Sequence, residues 1–90
     1  MEQWYSCQYN QVDHIEKVFH FKKYAIAVAF ANMVAGIAEL HIHHPRLTIE
    51  WGKTTVAWGT HKSDEGSGVL AIDKILAKKT DELYACLTIK

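Results

Sequence analysis

Ninety residues give one domain, with room for a single two-layer core but not for two separate ones. Apolar residues make up 49% of the chain and charged residues 22%, an ordinary globular composition with nothing that reads as disordered. Ten basic and ten acidic side chains cancel, so the basic footprint of a nucleic-acid binder is missing and direct DNA or RNA binding is not expected.

In chain order, Trp4 to Phe21 predicts a hairpin. Ile15, Phe19 and Phe21 share strand parity, and the polar stretch Gln8 to Asp13 divides the segment in two. Lys22 to Leu40 predicts a helix, because Ile26, Phe30, Met33, Val34 and Ile37 recur at helical spacing. Six alanines between Ala25 and Ala38 add helix propensity and let the helix sit close to a sheet. Pro45 disfavours helical geometry at His44 and marks the end of the element.

Two strands are expected next, Leu47 to Trp51 and Thr54 to His61, joined by a tight turn at Gly52-Lys53. In the second strand Val56, Trp58 and Thr60 share one face, and Thr55, Ala57, Gly59 and His61 the other. Lys62 to Gly68 is polar with two glycines and predicts a loop. Val69 to Leu83 predicts a second helix that buries Ile72, Leu76 and Leu83. The order β-β-α-β-β-α implies an α+β fold, a four-stranded antiparallel sheet with both helices on one face.

The most apolar run, Tyr24 to Ala38, is interrupted by Asn32 and Gly36 and is expected to be too short for a bilayer. The N-terminus carries Glu2, Gln3 and Trp4 rather than the basic region of a signal peptide. Cys7 and Cys86, near the two chain ends, are expected to be reduced thiols, which makes the cytoplasm the expected compartment.

Six histidines are many for this length, and four of them lie between His41 and His61. Imidazole is the side chain whose unperturbed pKa, about 6.5, suits proton transfer near neutrality. His43 and His44 fall between a helix and a strand, on a corner stiffened by Pro45. Antiparallel pairing of the two following strands returns His61 to the start of the first, and so predicts that His61 lies close to His43 and His44. Zinc is the obvious rival use of His41, His43, His44 and His61. Adjacent histidines do not readily aim at one ion, and no Cys or carboxylate completes a familiar spacing, so no metal is expected.

Glu39, His43-His44-Pro45, Trp51, Thr60-His61 and Asp73 stand in register with a known pattern, and the chain resembles the pterin-4a-carbinolamine dehydratases through them. Phe19-His20-Phe21, Val34-Ala35, Ala38-Glu39 and Leu76-Ala77 extend the likeness from about Trp4 to Leu83. A lone His-His-Pro is a weak signal, whereas several matched positions are a strong one.

The resemblance implies dehydration of 4a-hydroxytetrahydropterin to quinonoid dihydropterin, serving aromatic amino acid hydroxylases, with no cofactor. It implies catalysis by His43, His44 and His61, with His43 and His61 as the acid–base pair. It implies substrate contact by Pro45, Glu39, Trp4 and Trp51. By their position alone Trp51 and Trp58 read as core or interface aromatics, and Asp73 as a helix-start charge. The family also implies a homodimer or homotetramer, and its other known role, a non-enzymatic dimerisation cofactor in transcription, is the alternative function.

Ile42 departs from the family, many of whose members have Asp or Asn there, and the departure predicts weaker binding of the pterin ring. Leu70 stands where a capping Ser or Thr is usual, three residues before Asp73.

Overall fold

The computed structural model describes residues 3–88. Strands β1 (Tyr5–Tyr9) and β2 (Val12–His20) form the first hairpin. Its two turn residues, Asn10 and Gln11, both take positive φ, 54° and 66°, the geometry whose twist matches a two-residue hairpin. Strands β3 (Arg46–Glu50) and β4 (Lys53–Trp58) form the second. The two hairpins join through β2 and β4 into a four-stranded antiparallel sheet of order β1-β2-β4-β3.

Helices α1 (Tyr24–His41) and α2 (Ala71–Thr88) cover one face of that sheet. Alternation along β4 aims Thr54, Val56 and Trp58 at them. The Thr54 hydroxyl donates to the Ala27 carbonyl of α1 at 2.9 Å, and the Trp58 indole N–H donates to Thr80 Oγ1 of α2 at 3.1 Å. Phe19, Phe30, Val34, Val56, Trp58 and Leu76 fill the space between the layers. The α+β architecture expected from the sequence is the one observed.

Several expectations change in detail. Phe30 and Val34 of α1 are buried as expected, but Ile26 and Met33 are 41% and 39% exposed. The buried face runs through Ala27, Phe30, Ala31, Val34 and Ala38 instead. Close packing on the sheet favours small side chains at the contact, so the alanines rather than the bulkiest residues define the face. The helix is also longer than the apolar run. At 18 residues and a mean hydropathy of 1.4 it is long and apolar enough to cross a bilayer, yet one side of it is committed to the sheet.

The expected strand Thr54 to His61 is broken at Gly59. Beyond it, β5 (Thr60–Ser63) and β6 (Gly66–Gly68) make a small antiparallel ribbon where a loop was expected. Gly66 and Gly68 take φ of 112° and 95°, which a residue with a Cβ rarely adopts, and the Ser63 hydroxyl donates to the Gly66 carbonyl at 2.9 Å. Composition signalled the glycines but not the pairing. Trp51 lies in the β3–β4 turn rather than in a strand, and α2 begins at Ala71 and runs past Leu83.

Helix α1 ends in a Schellman arrangement. The Ile42 N–H bonds the Glu39 carbonyl at 3.2 Å, and the His43 N–H bonds the Ala38 carbonyl at 3.1 Å. That closure requires left-handed backbone at Ile42, with φ 48° and ψ 48°, and leaves its side chain 82% exposed. A β-branched residue is poorly suited to this region, whereas Asn and Asp enter it readily. The Asp or Asn that the resemblance implies at this position would answer that demand of the backbone. Replacing Ile42 with Gly or Asn should raise stability by about 1 kcal/mol. A thermal melt reads this as a rise in Tm, and an unchanged or lower Tm would contradict it.

Candidate active site

The corner after α1 and the start of α2 meet at the β4–β5 junction. Asp73, in the first turn of α2, is fully buried there. Its Oδ2 accepts the Leu70 backbone N–H at 2.9 Å, which supplies the carboxylate half of a capping box although Leu70 offers no hydroxyl for the other half. The same oxygen accepts the Thr60 hydroxyl at 2.8 Å, and Oδ1 lies 2.6 Å from His43 Nε2. Thr60 Oγ1 is also 3.4 Å from that ring nitrogen. A carboxylate only accepts, so Nε2 carries the proton and the lone pair of the His43 ring is on Nδ1.

His43 is further held by a parallel stack on Trp58, with 6.1 Å between centroids and 8° between planes. Trp58 cannot turn away without breaking its bond to Thr80, whose hydroxyl donates in turn to the Leu76 carbonyl at 2.7 Å. Together with the backbone bond to Ala38, these contacts fix His43 at ring and main chain. Its side chain is 17% exposed, enough to present one edge to a small molecule. The sequence read Asp73 as a helix-start charge and Thr60 as a strand residue. Their pairing with His43 joins positions 30 and 17 apart in the chain, which no local pattern reveals.

The other expected residues are distributed around this centre. His44 is exposed and pairs through Nε2 with Glu39 Oε2 at 2.7 Å, across the last turn of α1. Pro45 is half-buried and leads directly into β3. His61 follows Thr60, but alternation sends the two side chains to opposite faces, so Thr60 rather than His61 touches the His43 ring. The His61 ring instead meets that of His14 edge-on, at 5.4 Å between centroids.

Trp4 lies in the core against Phe19, and its indole N–H donates to Asp81 Oδ2 at 2.9 Å. Trp51 is 78% exposed at the far end of the β3–β4 hairpin. The length of β3 puts it roughly 16 Å from the His43 corner. A cleft of about 650 Å³ opens beside that far end, lined in part by His20, Phe21, Lys22, Lys23 and Tyr84, and includes none of the expected site residues. The buried carboxylate and the imidazole it holds lie at His43, away from that cleft.

Cys7 and Cys86 are free thiols, and burial, followed by the Glu16 charge, pushes the Cys7 thiol up, away from the reactive thiolate. Among the described residues no three of His, Cys, Asp and Glu are arranged to hold a metal ion.

The family profile described as Pterin 4 alpha carbinolamine dehydratase matches residues 1–83. A "Putative pterin-4-alpha-carbinolamine dehydratase" of Marinobacter nauticus is 47% identical over 72 residues, which cover 80% of this chain and 62% of that protein. A protein of the same name from Photobacterium profundum is 40% identical over 81 residues, covering 90% of this chain and 70% of its own length. The chain thus spans about two thirds of the length of these relatives.

Among solved structures, a transcriptional coactivator/pterin dehydratase from Brucella melitensis superposes with a TM-score of 0.75 at 26% identity, over 93% of this chain and 84% of the other. A pterin dehydratase-like protein identified as a RuBisCO assembly factor in the alpha-carboxysome shares the fold, with a TM-score of 0.71 at 18% identity over 92% and 90% of the two chains. On the match across residues 1–83 and the identity to these relatives, the chain belongs to the pterin 4 alpha carbinolamine dehydratase family.

Proposed function

We propose that this protein dehydrates a 4a-hydroxytetrahydropterin to the quinonoid dihydropterin and so recycles the pterin used by aromatic amino acid hydroxylases. The observation that carries the reading is the His43 ring, held by a buried carboxylate with one nitrogen committed and the other available. Loss of water from the carbinolamine needs one proton delivered to the departing 4a-hydroxyl and one removed from a ring nitrogen. His43 Nδ1 suits removal, because Asp73 retains the proton on Nε2. An imidazolium at His61 suits delivery. His44, steadied by Glu39, and Pro45 border the same corner and would hold the ring of the substrate. Neither proton step calls for a metal or an organic cofactor.

The family match supports this reading, and the histidine roles are its mechanistic content. A binding role in transcription is the second reading. It is favoured by the Brucella melitensis structure, whose description joins coactivator and dehydratase, and by the apolar side chains that α1 exposes at Ile26, Met33 and Leu40. We place the protein in the cytoplasm, where the free thiols Cys7 and Cys86 would stay reduced.

Turnover of one synthetic 4a-hydroxytetrahydropterin separates the two readings. Wild type should turn over and should be unaffected by EDTA, while His43→Ala should lose about 10²–10⁴ in rate, the usual worth of a positioned acid or base. No turnover by wild type would leave the binding role as the better account. Loss of activity with EDTA and recovery with zinc would replace the histidine mechanism by a metal one.

We further propose that the protein assembles through the edges of its sheet. Its edges are β1 and β3, and each presents backbone groups that pairing with a second chain would satisfy. We expect a homodimer, or a tetramer of two such dimers, in light scattering, and a monomer would reject edge pairing.

A further inference from the structure

We infer that His14 is a positioning residue for the reaction proposed above, holding the ring of His61 in place without touching substrate. The inference rests on the role given to His61. That side chain is exposed, at the start of a ribbon whose two glycines, Gly66 and Gly68, mark it as pliant. Among the described residues the His14 ring is the only aromatic or hydrogen-bonding partner of the His61 ring, at 5.4 Å and 70°. An unsupported imidazole there would sample several rotamers, and a proton donor that wanders loses most of its value.

His14 is restrained on all sides. It is 3% exposed, although it lies on β2 and faces away from the helices. Its Nδ1 is 2.8 Å from the Val12 carbonyl, which can only accept, so that nitrogen carries the proton and the ring cannot rotate freely. Tyr9 meets it edge-on at 5.4 Å and 88°. Behind it is Gly59, where any Cβ would come within 2.7 Å of two ring carbons of His14. The glycine that ends β4 is thus also the one residue type that leaves room for this ring.

Tyr9 is anchored in turn. Its hydroxyl donates to Glu16, and that bond pushes the phenol up to about 12, so it remains a donor at any working pH. The Arg46 guanidinium covers its ring at 4.1 Å. Arg46 directly follows Pro45, so the stack Arg46–Tyr9–His14–His61 links the His-His-Pro corner to His61 across the open face of the sheet. On the other face, Asp73 and Thr60 link His43 to the same strand end. The two imidazoles are therefore held relative to one another from both sides of the sheet.

Two variants of similar buried volume test this. His14→Phe keeps a ring against His61, and His14→Leu does not. In spectra of histidine-labelled protein, with the His61 signal identified by His61→Asn, the ring-current displacement of His61 should persist in H14F and vanish in H14L. Turnover of H14L should fall about 10-fold, in kcat rather than KM, while H14F should stay within about threefold of wild type. An unchanged His61 signal in H14L would overturn the inference. Equal losses in the two variants would also overturn it, by showing that His14 serves packing alone. The spectra are read without substrate, so they test the hold of His14 on His61 even if wild type proves to have no pterin turnover.

Discussion

A buried carboxylate without partners would cost several kcal/mol, and the fold is arranged so that Asp73 has them. Its three donors come from three places, the Leu70 backbone at the start of α2, the Thr60 hydroxyl at the β4–β5 junction, and the His43 ring on the corner after α1. Each of these segments therefore has its position dictated by one side chain. The carboxylate caps a helix, closes the end of the sheet and holds an imidazole. Removing any of the donors would leave an acceptor short of a bond in a site that water does not reach.

The consequence is a graded rigidity around the candidate site. His43 is held by Asp73, by the Trp58 stack and by the Schellman closure at Ile42. His44 and His61 are exposed, each with one side-chain partner among the described residues, Glu39 and His14 respectively. Under the proposed mechanism, a base that must keep one tautomer benefits from the first kind of environment, and groups that meet and release a small molecule benefit from the second. Strain at Ile42 fits the same division, because its left-handed backbone sits directly before the most tightly held ring.

Much of the fold was legible because two periods dominate the chain. Alternation separated Val56 and Trp58 from Thr55 and Ala57 on β4, and helical spacing placed α1. Bulk misled where closeness mattered, since Ala27, Ala31 and Ala38 rather than Ile26 and Met33 face the sheet. The β5–β6 ribbon was hidden because its glycines read equally well as a loop. Of the site, the histidines and Pro45 were visible as a cluster, but the Asp73–Thr60–His43 bonds join residues far apart in sequence and depend on how α2 meets the sheet. Gly59 was seen only as a strand position, because its steric purpose appears once the His14 ring is in place.

The most direct test of the central claim is the rate of Asp73→Asn on a 4a-hydroxytetrahydropterin. The amide keeps the shape of the carboxylate, so the fold should survive and circular dichroism should be unchanged. It carries a donor where the acid had only acceptors. With Leu70 and Thr60 still donating to its oxygen, the NH₂ group would face His43 Nε2 and force the ring proton onto Nδ1, the nitrogen assigned to take a proton from substrate. The account predicts a fall of about 10²–10⁴ in kcat for a folded variant. Turnover of a folded Asp73→Asn protein at the wild-type rate would contradict it.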